Sequence, residues 1–261
     1  MWREARLEPQ RAGARTTARL VLVNGGGATW RSRGTAGLQV AYHWLDTLGN
    51  AIHWDGLRTA FPHPVAPGET VALDVPVVAP RPPGRYVLSF DLVEEHRFWL
   101  SELGVPPHDV EVDVAPLIGE RRLVVVVVDG PDHLTTAALA AQEEALVDER
   151  ATATAYLVAG AEPAPDWSRR ILDAHADGWS AVGSAIVPAG GLVERRRQAR
   201  TLRRWAPGGR NQRFDGPLLL PSLLGEVAPS AYDGLPAYEG DGVFEGRAVV
   251  RLRMRSGRPH E

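Results

Sequence analysis

The sequence predicts a multidomain chain, with an all-β sandwich over residues 1–115 followed by an α/β domain over residues 120–261. Three observations carry this. Short apolar segments with period-two alternation fill the N-terminal part. Turn-forming residues separate them at short intervals, as in sandwiches. Beyond Arg121 apolar runs alternate with helical segments, the pattern of α/β architecture.

The strands follow in order. Thr17 to Asn24 is the first apolar run. In Gly37 to Asp46, Leu38, Val40, Tyr42 and Trp44 fall on one face. Ala51 to Arg58 comes next. Val71, Leu73, Val75 and Val77 alternate, as do Tyr86, Leu88, Phe90 and Leu92. Phe98 to Leu100 and Asp109 to Val114 complete the set. Such alternation predicts one buried and one wet face in antiparallel sheets. The separators are Asn24-Gly25-Gly26-Gly27, Leu48-Gly49-Asn50, Pro67-Gly68 and Pro82-Pro83-Gly84, all turn formers.

Ala115 to Arg121, interrupted by Pro116 and Gly119, marks the boundary. Leu123 to Val128 is an unbroken apolar run, as expected of a parallel strand buried on both faces. Thr135 to Arg150, Trp167 to Asp177 and Leu192 to Trp205 are predicted helices. Ala153 to Ala159 and Ala181 to Val187 are predicted strands between them.

Composition excludes several functions. A net charge of −3 lacks the basic excess of a general nucleic-acid binder. With no cysteine there are no disulfides, thiolate metal sites or cysteine nucleophiles. Every one of the 29 basic residues is arginine, which excludes lysine Schiff-base chemistry. Met1 to Gln10 is charged and has no apolar core of a secretory signal, and no stretch is long enough to span a membrane. The expected location is therefore cytoplasmic.

Four tryptophans lie between Thr16 and Val114: Trp30, Trp44, Trp54 and Trp99. Large rings fill a thin sandwich core efficiently, and Trp44, on an apolar face, fits that role. Trp30 and Trp54 sit beside polar turns and are the better candidates for stacking on a sugar ring. Together with Asp55 and Arg58 they form the candidate ligand-binding set. His43, His53, His63 and Asp55 match no metal-ligand spacing and are expected to be surface or turn residues.

The stretches Tyr42-His43-Trp44-Leu45-Asp46, His53-Trp54-Asp55-Gly56-Leu57-Arg58-Thr59, Pro67-Gly68-Glu69, Pro83-Gly84-Arg85-Tyr86 and Asp91-Leu92-Val93-Glu94 resemble the immunoglobulin-like domains attached to bacterial glycosyltransferases and other surface-polysaccharide proteins. That resemblance implies an immunoglobulin-like sandwich and a role in glycan handling or domain contact.

In the second half, Val126-Val127-Val128-Asp129-Gly130-Pro131-Asp132 and Ala153-Thr154-Ala155-Tyr156-Leu157-Val158-Ala159-Gly160 resemble the polysaccharide deacetylase, or NodB homology, family over about residues 120–240. The resemblance implies a truncated (β/α) barrel. It also implies metal-assisted deacetylation of N-acetyl sugars by one aspartate, two histidines and a base aspartate. Position by position, the base is replaced by Val128, the two histidines by Ala185 and Ala189, and a later arginine by Asp215. Asp129 alone is retained, and one ligand cannot hold a catalytic metal. Asp129 is then expected to serve as a turn or cap residue. Asp132, His133 and His175 are read as a solvated turn and a helix-surface histidine. Ser184 and Ser222 lack the G-x-S-x-G setting of a hydrolase nucleophile.

Arg195, Arg196, Arg197, Arg200, Arg203 and Arg204 make a basic helix. An anionic glycan or sugar phosphate is one partner for it. The preferred reading is a solvated face paired to nearby acids. Arg247, Arg251, Arg253 and Arg255 are read as an edge strand or docking tail.

The expected function is a non-catalytic, deacetylase-like pseudoenzyme of bacterial surface-polysaccharide or glycoconjugate metabolism. It would bind a glycan or a pathway protein and need no cofactor. The alternative is a divergent deacetylase or amidohydrolase acting on N-acetylated sugars with a zinc-like divalent metal. A truncated barrel exposes a strand edge, so the sandwich, the C-terminal tail or a second subunit in a homo-oligomer is expected to cover it.

Overall fold

The computed structural model describes residues 1–33, 36–130 and 132–252. Pro131 of the deacetylase-like motif, together with Arg253 and Arg255, lies outside the described residues. Two units divide the chain, Met1–Leu117 and Ile118–Glu261. Strand dominates both, with only three α-helices among the described residues.

Among its described residues the first unit has ten strands: β1 (Trp2–Leu7), β2 (Arg15–Val23), β3 (Ser32–Arg33), β4 (Ala36–Leu45), β5 (Ala51–His53), β6 (Thr59–Ala60), β7 (Thr70–Val78), β8 (Gly84–Glu94), β9 (Phe98–Trp99) and β10 (His108–Val114). One antiparallel sheet runs β1-β2-β7. The other runs β10-β8-β4-β3, with β5 and β6 on β4 and β9 on β8. Leu20, Leu22, Val71, Leu73, Val75 and Val77 from the first sheet share one core with Val40, Tyr42, Trp44, Leu88, Phe90 and Leu92 from the second. This is a β-sandwich, and its inner faces are the alternating residues read from the sequence. Trp44 is fully buried and its indole N–H donates to the Val78 carbonyl at 2.8 Å. The Tyr86 hydroxyl, near the start of β8, donates back to the Pro82 carbonyl at 2.7 Å.

The outer face of β4 and β8 departs from the expected wet side. Gln39, Ala41, His43, Ser89, Asp91 and Val93 are all buried. The cover comes from segments remote in sequence: the rings of Trp54 and Trp99 lie on His43. The expected strand over Ala51 to Arg58 is correspondingly short. It pairs only at β5, then leaves the sheet edge to return as β6.

The second unit contains β11 (Leu123–Val127), α1 (His133–Ala140), β12 (Ala153–Leu157), β13 (Ala161–Pro163), α2 (Trp167–Ala176), β14 (Ala181–Pro188) and α3 (Leu192–Thr201). β15 (Arg210–Asn211), β16 (Leu218–Leu219), β17 (Ser222–Leu224), β18 (Ser230–Tyr232), β19 (Leu235–Tyr238) and β20 (Val243–Leu252) follow. Its main sheet runs β11-β12-β17-β14-β20-β13, and β16-β19-β18 form a small second sheet.

The expected (β/α) barrel is not what forms. β17 inserts between β12 and β14 and runs antiparallel to both. Among the described strands of this unit, only β11–β12 and β14–β20 pair in parallel. Among the described residues this is an open mixed sheet, and its antiparallel members interrupt the repeated parallel crossovers that a barrel requires. β11 is an edge strand, and its apolar run is not buried on both faces: Leu123 is inside, but Val126 is 39% exposed and Val128, just past its end, is 54% exposed.

The predicted helix from Thr135 to Arg150 stops at Ala140 because the backbone beyond it bonds elsewhere. Glu143 N–H donates to Pro165 O at 2.9 Å, Glu144 N–H to Ser168 Oγ at 3.3 Å, and Val147 N–H to Leu123 O at 3.0 Å. The last of these covers part of the β11 edge. Asp132, not Asp129, caps α1, accepting from Leu134 N and Thr135 N. α2 is amphipathic as predicted, burying Trp167, Ile171, Leu172 and His175. The arginine-containing segment read as an edge strand or tail is β20, an interior strand with β14 on one side and β13 and β15 on the other.

Candidate functional site

The candidate site is the aromatic layer on the outer face of the first unit. Its floor is His43 on β4 and Asp91 on β8, which point the same way because Ala41 pairs with Asp91 and His43 with Ser89. Above His43 the Trp54 ring stacks at 3.9 Å between centroids and 23° between planes. Trp99 lies 4.3 Å from His43 and edge-on to Trp54 at 6.1 Å.

Gly56 lets the covering turn approach. A Cβ there would come 2.5 Å from both the Tyr42 ring and its carbonyl oxygen, to which Gly56 N–H donates at 2.9 Å. Arg58 clamps the turn. Its Nε donates to Glu95 at 3.0 Å, and its two terminal nitrogens donate to the Gly56 carbonyl at 2.7 Å and Asp55 at 3.0 Å. Its guanidinium sits 4.8 Å from the Trp99 ring centre. Burial pulls the Arg58 guanidinium down, but its bonds to Glu95 and Asp55 outweigh that and hold its pKa above the ordinary value.

Two buried acceptors in the floor have no partner among the described residues. His43 Nδ1 donates to the Trp54 carbonyl, which leaves Nε2 a bare lone pair, and Nε2 is unbonded. Asp91 Oδ1 accepts from Leu92 N–H at 2.6 Å, while Oδ2 is also unbonded. Burial pushes the His43 pKa down; the Trp54 carbonyl, Asp91 and Asp55 push it up by less, and Arg58 adds to the fall.

Of the four residues picked from sequence, three meet here. Trp54 remains 47% exposed although one face lies on His43, and the Asp55 side chain is 69% exposed. Arg58 bonds within the cluster through all three of its guanidinium nitrogens. Trp30 lies apart from them, stacked on Phe61 at 5.4 Å and packed against the sandwich core. Sequence reasoning missed His43, Asp91, Glu95 and Trp99 as members of the site. His43 was expected at the surface and is 3% exposed. The available signal was strand register, which puts His43 and Asp91 on one face.

In the second unit lie the positions at which the deacetylase resemblance would place a metal centre, of which only Asp129 keeps a ligand. Ala185 and Ala189 are buried and carry no donor atom, Val128 carries none either, and Asp129 is exposed in the turn after β11. Asp215 is exposed beside Arg204. These residues do not fit a divalent metal. Among the described residues no group of three or more His, Asp or Glu side chains is arranged to hold one.

Three buried polar groups of this unit, His175, Ser184 and Glu245, are instead bonded to neighbouring groups of the protein. His175 Nδ1 donates to Trp179 O at 2.6 Å and its Nε2 accepts from Ser222 Oγ at 2.9 Å. Burial pushes the His175 pKa down to about 4. His175 is thus a core residue rather than the helix-surface histidine read from sequence. Ser184 accepts from the Trp167 indole at 2.9 Å and donates to Leu220 O at 3.2 Å. Glu245 is fully buried. Burial raises its pKa, but bonds from Arg247 and Arg210 outweigh that and hold it below the ordinary value.

Fold and site together define a β-rich, two-unit protein with an aromatic surface layer on its sandwich. No family model matches the chain, and neither does any curated protein. Among solved structures it is similar to a family 123 glycoside hydrolase from Clostridium perfringens described in a study of glycolipid glycan hydrolysis. Identity is 10%, coverage is 50% of this chain and 26% of that one, and the TM-score is 0.26. The chain therefore spans about a quarter of that hydrolase's length. No helix among the described residues is long and apolar enough to cross a membrane.

Proposed function

We propose that this is a non-catalytic glycan-binding protein of bacterial surface-polysaccharide or glycoconjugate metabolism, with Trp54 and Asp55 on an immunoglobulin-like sandwich as the binding surface. The half-exposed Trp54 ring, braced from beneath by His43 and at its edge by Trp99, carries the reading. A braced indole with a free face suits the apolar face of a sugar ring. Asp55 supplies exposed carboxylate oxygen beside it. All three Arg58 nitrogens bond within the cluster, so the exposed Asp55 carboxylate is the main polar group offered beside the ring, which favours neutral or N-acetylated sugars that donate hydroxyl and amide hydrogens.

The immunoglobulin-like part of the reading is supported by buried Trp44 in the second sheet and by the Tyr86 hydroxyl bonding back to Pro82, the geometry of a tyrosine corner. For the second unit, the kinship with deacetylases rests on the sequence motif alone. What we carry forward from it is the loss of ligands at Ala185 and Ala189.

Calorimetric titration of the whole protein with N-acetylated and neutral oligosaccharides tests this. Binding is expected, and Trp54→Ala should weaken it at least about tenfold, consistent with loss of a central aromatic contact. No binding across the panel, or binding untouched by Trp54→Ala, would overturn the proposal. So would stoichiometric zinc together with deacetylase turnover that Asp129→Ala abolishes.

A further inference from the structure

The arginine helix has few ion pairs among the described residues. Among the described side chains, Arg204 is the one member of its six arginines with a carboxylate within reach, Asp215 at 4.0 Å. From Leu192 to Trp205 there are six arginines and a single acid, Glu194, in a chain whose net charge is −3. This segment is a concentrated cationic patch on an acidic protein.

Its faces are sharply divided. Gln198, Leu202 and Trp205 are buried, and the Trp205 indole donates to Pro217 O at 2.8 Å. At 100° per residue, Arg196, Arg197 and Arg200 fall on the opposite side of α3. Arg203 and Arg204 continue it in the following turn, and all five are exposed. Leu192 and Val193, in the first turn of α3, project from the same side and are 60% and 83% exposed. Exposed leucine and valine next to a cluster of exposed guanidinium groups call for a partner offering phosphate and hydrocarbon at once. Acidic polysaccharide and nucleic acid supply the charge but no apolar layer.

We infer that the exposed face of α3 and the turn after it docks on an anionic phospholipid surface. The arginines engage headgroup phosphates through their planar forks, and Leu192 and Val193 enter the acyl boundary. The attachment is peripheral, and independent of the sugar site on the sandwich.

The test is co-sedimentation of the whole protein with vesicles of phosphatidylcholine alone or mixed with phosphatidylglycerol. Binding is expected only to the anionic vesicles, and to fall steeply with added salt. Combined Arg196→Glu, Arg200→Glu and Arg203→Glu should weaken it on the order of a hundredfold. Leu192→Ser with Val193→Ser should weaken it several-fold and leave the salt dependence in place. All are surface changes, and circular dichroism checks that each variant remains folded. No binding to anionic vesicles by the unaltered protein would overturn the inference. Heparin binding as tight as vesicle binding, with neither altered by the Leu192 and Val193 changes, would overturn it in favour of a general polyanion site.

Discussion

The two units each bury a histidine, and they treat it in opposite ways. In the second unit His175 has both ring nitrogens bonded, to Trp179 O and Ser222 Oγ, inside a core where Ser184 and Glu245 are likewise satisfied. In the first, His43 has one nitrogen bonded and one without a partner among the described residues, and an Asp91 oxygen on the same face is likewise without one. Buried polar atoms are normally paired, because an unpaired one costs about 1–3 kcal/mol. The saturated network behaves as internal scaffolding. The unsaturated one lies beneath the half-exposed ring where we place ligand contact, and local rules of packing are most often broken at such surfaces.

The sharpest way to break this contrast is to remove each histidine. His175→Ala leaves a cavity and strips the Ser222 hydroxyl of its ring partner. It should destabilise the second unit by about 4 kcal/mol, read by urea denaturation with hydrogen exchange assigning the loss to that unit.

Acid should act on the same residue. The unfolded chain takes up the His175 proton near 6.5, the folded chain not until about 4. Between these values the unfolded state binds more protons, so stability falls as pH falls and the loss is complete below about 4. It amounts to about 3 kcal/mol, and His175→Gln should lack this part of the slope.

Smaller effects are expected in the sandwich. Trp54→Ala should cost roughly 1–2 kcal/mol, since much of the ring is already in water. It also opens His43 to solvent, so the histidine's pKa should rise toward its ordinary value, followed by its ring proton resonances through a pH series. The smallest effect belongs to His43→Phe, which removes a bare nitrogen along with one bond. A change within about 1 kcal/mol is expected, whereas a loss as large as that of His175→Ala would erase the distinction between the two histidines.

Legibility in the sequence divides along the same line. The inner faces of β4, β7 and β8 were readable because alternation is local, and Trp44 fell where its apolar neighbours put it. Trp54, Asp55 and Arg58 were readable as a set because one turn carries them. Trp99 and Glu95 reach the site from about forty residues away, and nothing local marks that return. The double burial of β8 followed from that same cover and was equally hidden. In the second unit the apolar run at β11 and the amphipathic α2 were legible, but the insertion of β17 was not. Three residues, Ser222 to Leu224, are too few to show a period, and their place between β12 and β14 is decided by tertiary pairing. α1 ended early for a similar reason, its expected continuation being bonded to Pro165, Ser168 and Leu123 instead.

The position of β20 has a consequence for synthesis. It is the last described strand of its unit in chain order, yet it lies inside the sheet, beside β14 and against β13 and β15. A ribosome releasing this chain from its N-terminus would already have exposed β11, β12 and β14 before the strand that completes the sheet emerged. The sandwich, whose strands all precede residue 115, can close long before then. The second unit must hold its apolar β14 open until residue 252 arrives, which makes it the slower and more aggregation-exposed half of the nascent protein.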